Sequence, residues 1–216
     1  SSYNDNAYVG FMYGTTGASD YATTHANTND STIKTALDTW YTNNIKNTTN
    51  EQYVADAIYC NDRSLDTTSD GTGAGTSATD YGADYRLHDN KTPTLKCSQV
   101  NDINDRFTRE TTVSGVTGNG DLTYPIGLIT ADEVAYAGGT YTSGNSKYYL
   151  YTGNWYWTMS PSGFGGSDAY EYRVNGAGDL SYSNVDSYND IRPVISLSSG
   201  ALSSGTGIKT DPFKIG

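Results

Sequence analysis

Apolar residues recur in this chain with helical spacing in two places and with strand-like spacing toward the carboxy-terminal end, and long polar stretches separate them. In STIKTALDTWYTNNI, residues 31–45, Ile33, Leu37, Trp40 and Tyr41 fall at helical spacing. Asp30 or Ser31 is placed to cap the first turn, so the pattern predicts an amphipathic helix lying on a core. In TADEVAYAGG, residues 130–139, Thr130 and Glu133 have capping-box spacing, Asp132 and Glu133 complement the helix dipole, and Gly138 stops the run. Past Gly139, residues 147–151, 154–159, 169–175 and 193–197 are rich in Tyr, Trp, Val and Ile and read as short strands, with Gly153, Gly176 and Gly178 at turns. Alternation puts Trp155, Trp157 and Met159 on one face, where core packing is expected. Residues 66–80 and 98–120 read as long loops. Within the first, GTGAGTS has the glycines of a phosphate-binding loop but neither its lysine nor a preceding apolar strand, so a flexible surface loop is expected.

Composition narrows the function classes. The chain has 216 residues, enough for one large domain, and 13 Lys plus Arg stand against 24 Asp plus Glu, a formal charge of -11. That charge repels nucleic acid and anionic membrane surfaces. The longest apolar runs fall far below the ~20 residues of a spanning helix. The chain opens on polar SSYNDN, so the targeting segment of an exported protein would have been removed or lie outside this sequence. The two cysteines, Cys60 and Cys97, are most simply one disulfide of an oxidising compartment, contributing about 4 kcal/mol by loop entropy; two unrelated buried thiols are the alternative. Two cysteines and two histidines, His25 and His88, build no metal cluster without carboxylates, and no cofactor is expected.

Residues 160–190 carry the most information. Of these 31 residues 17 are Tyr, Ser, Asn or Asp and none is Lys. Tyr gives broad amphipathic contact at low conformational cost, and Ser, Asn, Asp and Gly give adaptable hydrogen bonding, as in antibody paratopes. The segment reads as a contact surface, with Phe164, Tyr170, Tyr172, Asn175, Tyr182, Asn184, Tyr188 and Asn189 as ligand contacts and Glu171, Arg173 and Asp186 shaping charge preference. On an extended 169–175 strand, Tyr170 and Tyr172 share one face and Glu171 and Arg173 the other, so one of the two sets belongs to the site.

The order of elements, with YPIGLITADEVAYAGG at 124–139, YWTMSP at 156–161 and IRPVISL at 191–197, resembles the formylglycine-generating-enzyme branch of the C-type-lectin-like fold. The resemblance implies a single α+β domain over 1–216, two helices flanking a small, mostly antiparallel sheet with long loops, in which YWTMSP and IRPVISL are paired core strands bracketing a variable segment. With VGFMYGT at 9–15, THANTNDSTIKTALDTWY at 24–41 and CNDRS at 60–64, the whole chain is similar to bacterial surface proteins that often follow a prepilin-like hydrophobic helix. Some of these resemble variable proteins of diversity-generating retroelements, in which adenine mutagenesis diversifies ligand-contacting residues just before the last core strand. The resemblance implies a non-enzymatic binding domain, extracellular or displayed at the cell surface, with a protein or glycan ligand. A second reading from it is a structural, pilin-like filament subunit that self-associates through a removed amino-terminal helix.

Other chemistries find less support. The calcium-binding triplets of true C-type lectins are absent, and Tyr188, Asn189 and Asp190 only echo one of them. Asp179, Asn184, Asp186 and Asp190 read as a solvated acidic loop rather than a calcium site, and the Asp102, Asn104 and Asp105 cluster as a surface turn. No cysteine follows Cys97, which excludes formylglycine chemistry by residue type. His25 reads as a loop or packing residue. Glu171 with Asp179 or Asp186 is a conceivable glycosidase pair whose separation decides the matter.

Overall fold

In the computed structural model, residues 3–97 and 103–216 are described. Local capping decides where the two main helices begin. Ser31 accepts the Lys34 N–H at 3.1 Å and starts Thr32–Asn44, while the Thr130–Glu133 capping box starts Ala131–Tyr136. Counting two shorter pieces, the helices are α1 (Tyr21–Thr24), α2 (Thr32–Asn44), α3 (Gly82–Asp84, continuing into a π turn) and α4 (Ala131–Tyr136). Leu37 and Tyr41 of α2 are buried and Ile33 packs beside them, as its periodicity predicts, but Trp40 lies outside the core with 37% of its surface exposed. Lys34 takes the fourth inward position and is neutralised by Asp30 and Asp38, each at 3.1 Å.

The main sheet is antiparallel and curled. Its strands are β1 (Thr79–Asp80), β2 (Tyr156–Phe164), β3 (Ala169–Val174) and β4 (Leu180–Asn184), in the spatial order β4-β3-β2-β1. Every residue of β2 is buried, which a central strand covered on both faces requires. Its polar positions are satisfied locally: Thr158 Oγ1 donates to the Tyr172 carbonyl at 2.9 Å and Ser160 Oγ accepts the Ala131 N–H at 2.9 Å. Pro161, which has no N–H, sits where the β2–β3 register shifts on both sides of Glu171. The remaining pairings are two- or three-residue ladders, and helix accounts for only 19% of the chain and strand for 25%. Much of the remaining backbone is held by backbone–backbone hydrogen bonds in turns and loops, with side-chain hydrogen bonds beside them.

Two of three apolar clusters cover the two faces of β2. One face of β2 gives Trp157 and Met159 to a cluster with Phe11, Leu37, Tyr41 and Phe107. The other face gives Tyr156 to a cluster with Tyr172, Val174, Leu180 and the α4 residues Ala131 and Val134. A buried polar hub stands beside them. Arg63 is fully buried; its Nε donates to Asp105 Oδ1 at 2.6 Å, Nη1 to the Met12 carbonyl at 3.1 Å and Nη2 to Asn27 Oδ1 at 2.9 Å. Its remaining contact fixes a tautomer: His25 Nε2–H donates to the Gly73 carbonyl at 2.9 Å, leaving Nδ1 to accept from Arg63 at 3.4 Å. Burial, together with the neighbouring guanidinium, pushes the His25 imidazole down to about 3.

Several sequence expectations are corrected here. Residues 147–151 form turns rather than a strand: Tyr148 is buried against the α4 cluster while Tyr149 is exposed. Trp155 lies outside β2 and is exposed, so only Trp157 and Met159 share the core face. Of residues 193–197, Ser196–Leu197 form a strand paired with Val54–Ala55, and Val194 bridges Gly127, so IRPVISL is not a long partner of β2. The glycine-rich 71–77 stretch is fastened rather than flexible, because buried Asn6 donates from Nδ2 to the carbonyls of Gly75 at 3.0 Å and Ser77 at 2.7 Å. Asp105 is a buried partner of Arg63 instead of a surface-turn residue; Asp102 lies outside the described residues. Cys60 and Cys97 form the expected disulfide, with Cα atoms 5.4 Å apart. Among the described residues, no helix is long and apolar enough to cross a membrane.

Candidate ligand-binding surface

Strands β3 and β4 form a hairpin whose turn is built by Asn175. Its Oδ1 accepts the Ala177 N–H at 2.8 Å and the Asp179 N–H at 3.3 Å, and Gly178 takes φ +84° with no room for a Cβ, which would lie 2.2 Å from the Asn145 carbonyl oxygen. The register Tyr170↔Asn184, Tyr172↔Tyr182 and Arg173↔Ser181 then sorts the predicted contacts onto two faces.

The front face carries Tyr170, Tyr172, Tyr182 and Asn184. Tyr172, at 0% exposure, is corrected as a ligand contact, whereas Phe164, at 2% exposure, is a core residue that still lines the cleft beside this face. Phe164 packs with Val9, Tyr81 and Ala169, and Tyr172 packs on α3 and α4 with its hydroxyl donating to Asp84 Oδ1 at 2.8 Å. Asn175 is occupied by the turn. Tyr182 is 46% exposed and meets Tyr170 edge-on, with ring centroids 5.6 Å apart. The array extends from Tyr182 through Tyr172 and Tyr141 to His88, at successive centroid distances of 6.5, 6.3 and 4.7 Å. Tyr170, Tyr182, Tyr141 and His88 border an open cleft of about 290 Å³ that also takes in Asp80 and Asp84 and has no lysine or arginine in its lining. Desolvation raises the pKa of both carboxyls, opposed at Asp84 by the Tyr172 hydroxyl. Asp186 and Tyr188 follow β4 and are exposed, Tyr188 fully.

The back face carries Glu171, Arg173, Ser181 and Ser183. Arg173 lies over Trp155, 4.1 Å from the ring centroid, and donates to Asn189 Oδ1 at 3.2 Å. It has no carboxylate partner among the described residues, and burial lowers its pKa. Buried side-chain atoms without a hydrogen-bond partner concentrate on this side: Glu171 Oε1, Arg173 Nε, Ser181 Oγ and Asn189 Nδ2. Burial pushes the Glu171 carboxyl up to about 8, against the backbone N–H of Gly10 and the charge of Arg63, which both favour ionisation.

The structure thus brings Tyr170 and Tyr182 together with four residues that the sequence reading missed: Asp80, Asp84, His88 and Tyr141. Nothing local marks these four, because they reach the cleft from β1, from α3 and the π turn that continues it, and from a turn after α4. Asp179 lies opposite Asn175 at the hairpin turn, four strand residues from Glu171, which separates them by roughly 13 Å of strand rise and exceeds either glycosidase spacing. Among the described residues, no group of three or more His, Cys, Asp or Glu side chains is placed to hold a metal ion. Comparison with known protein families, curated proteins and solved structures finds no match.

Proposed function

We propose that this chain is a non-enzymatic ligand-binding domain of C-type-lectin-like type, extracellular or displayed at the cell surface, that meets its ligand with the front face of the β3–β4 hairpin. The observation that carries this reading is the solvent-open array Tyr170–Tyr182–Tyr141 bordering Asp80 and Asp84. Aromatic rims provide contact area at low entropic cost, and Asn184, opposite Tyr170 on the same strand face, with the exposed Asp186 and Tyr188 just past β4, would add adaptable contacts. Ring faces and two carboxylates, with His88 at 3.7 Å from Asp84 as their one basic neighbour in the lining and no lysine or arginine there, favour a cationic group, a guanidinium or ammonium carried by a protein or an amino-substituted glycan. The disulfide and the overall charge of -11 agree with an exported protein that attracts basic partners.

The test is an NMR titration of the protein with argininamide, with the uncharged citrulline amide as control. Saturable shifts of Tyr170 and Tyr182 signals with argininamide alone, lost in Tyr182→Ala, are expected. Equal responses to both compounds, or none to either, would refute the assignment.

A further inference from the structure

Strand β4 is an edge of the main sheet, and part of that edge is open. At the two ends of the β3–β4 ladder, the Asn175 N–H donates to the Asp179 carbonyl at 3.0 Å and the Val185 N–H to the Ala169 carbonyl at 3.1 Å. Bonded and non-bonded pairs alternate in an antiparallel ladder, so Ser181 and Ser183 turn their N–H and C=O groups toward β3, while Leu180, Tyr182 and Asn184 turn theirs outward. Leu180 is covered: its N–H donates to the Thr140 carbonyl at 2.9 Å and its carbonyl accepts the Thr142 N–H at 3.3 Å. The cover stops there, because Thr142 takes φ +58° and the chain folds back, Thr140 bridging Ser143. The Asn184 carbonyl accepts the Ser187 N–H at 2.9 Å. Among the described residues this leaves the N–H and C=O of Tyr182 and the N–H of Asn184 without a partner.

Open strand edges accept further strands, and proteins ordinarily blunt them with Lys, Pro or a bulge. Residues 181–184 are Ser, Tyr, Ser and Asn, and their register with β3 runs without a shift, so none of these devices is present. The open edge also adjoins the front cleft, which the Tyr182 ring lines and which Tyr141, beside Leu180, lines from the same side. A chain added antiparallel to β4 places one residue opposite Tyr182, where it exchanges both backbone bonds, and the Asn184 N–H then donates to the carbonyl two residues before it. With the strands about 5 Å apart, the side chain of that opposite residue stands on the same face as the Tyr182 ring. A long basic side chain there lies at the border of the cleft that holds Asp80 and Asp84. We propose that the front-face ligand is an extended peptide segment of a partner protein, added as a strand along β4 at Tyr182, with a lysine or arginine directed into the Asp80–Asp84 cleft. The proposal rests on the front-face reading and narrows it from protein or glycan to protein. Main-chain bonds supply affinity and the cleft supplies specificity, whereas an amino-substituted glycan answers the cleft and leaves the strand edge unpaired.

Five probes are titrated against the whole chain by protein-observed NMR: acetyl-Val-Thr-Arg-Thr-Val-amide, the same peptide N-methylated at the arginine, the same peptide N-methylated at the following threonine, argininamide and glucosamine. The arginine N–H is the one that bonds Tyr182, and the threonine N–H points away from β4. The parent peptide is expected to bind at least about tenfold tighter than argininamide, with at least about tenfold lost on methylation at the arginine and less than about threefold at the threonine. Hydrogen exchange of the Tyr182 amide slows at least about tenfold with the peptide and is unchanged by argininamide. Argininamide binding with no gain from the peptide, equal losses from the two methyl groups, an unslowed Tyr182 amide, or glucosamine binding as tightly as the peptide would overturn the strand addition and leave the cation site standing. Absence of binding by both argininamide and the peptide would overturn the two readings together.

Discussion

Two buried groups with opposite shifts predict the shape of the pH–stability curve, and single substitutions separate them. Glu171 titrates near 8 in the fold against 4.5 in its ordinary state. The folded chain therefore holds this proton more tightly, and the associated stability is fully present below 4.5 and is lost as pH rises from 4.5 to about 8. His25 titrates near 3 against 6.5, so its contribution is present above 6.5 and is lost as pH falls from 6.5 to about 3. At about 1.4 kcal/mol per pH unit for one proton, each interval amounts to about 5 kcal/mol before solvent screening. Water reaching the partly exposed Glu171 stem reduces its share, and we expect on the order of 3 kcal/mol from it.

Between 4.5 and 6.5 the two effects run in opposite directions, and the contribution of this pair is nearly flat there. Above 6.5 only Glu171 acts and stability declines toward pH 8; below 4.5 only His25 acts and stability declines toward pH 3. Urea unfolding at half-unit pH steps, on the wild type, Glu171→Gln and His25→Gln, tests this. Both glutamines keep the approximate size and cannot titrate, and Gln at 25 has an N–H to offer the Gly73 carbonyl. Other carboxyls with raised values, Asp80, Asp84 and Asp121, cancel in the differences between proteins. The alkaline decline should vanish in Glu171→Gln and the acid decline should shrink in His25→Gln. Parallel curves for all three proteins would refute the assignment of these slopes.

Four further outcomes follow from the same structure. Asp105→Ala strands the buried Arg63 guanidinium and should cost about 3–5 kcal/mol in urea unfolding, whereas the paired replacement Arg63→Met with Asp105→Leu should recover much of that loss. Reducing the Cys60–Cys97 disulfide releases a 37-residue separation and should cost about 4 kcal/mol, read as a lower thermal midpoint in reductant. Tyr172→Ala should destabilise the fold by about 3–5 kcal/mol, while Tyr182→Ala should change stability by less than about 1 kcal/mol and remove argininamide binding. Argininamide binding should also weaken as pH falls into the raised range of Asp80 and Asp84, since protonation removes the attracting charge; a pH-independent affinity would place the cation elsewhere.

Sequence reading succeeded where the deciding interaction is local. The Thr130–Glu133 box and the Ser31 cap each span three residues, and both helices begin where those pairs place them. It failed where polar side chains are buried by distant partners. Asp105 reads as a surface-turn residue and nothing local marks Asn6, Arg63 or Arg86 for burial, yet Asn6 fastens carbonyls about seventy positions away, and Arg86 joins Asp62 at 2.6 Å to Asp132 at 2.9 Å. The candidate site was legible to the same degree. Alternation separated Tyr170 and Tyr172 from Glu171 and Arg173 correctly, but which tyrosine of the front face is buried depends on where α3 and α4 pack. Tyr141, Asp80 and Asp84 enter the site only through that packing.

The division between buried and open positions also states what a variable segment could change. Along residues 160–190, Phe164, Tyr172, Val174 and Leu180 are each at most 2% exposed, and Asn175 and Gly178 hold the turn. Replacing any of these disturbs the sheet or its caps. Tyr182, Asp186 and Tyr188 are exposed, and half-buried Tyr170 and Asn184 share the front face with Tyr182, so substitutions at these five positions alter the surface while leaving the core in place. Diversification that preserves folding must therefore concentrate on this second set. Sequencing the gene across isolates tests the point codon by codon. Substitutions clustered at 170, 182, 184, 186 and 188, with 164, 172, 174 and 180 constant in size and apolarity, would match a surface varied on a fixed scaffold. Variation spread equally over both sets would show that selection at the front face does not shape the segment.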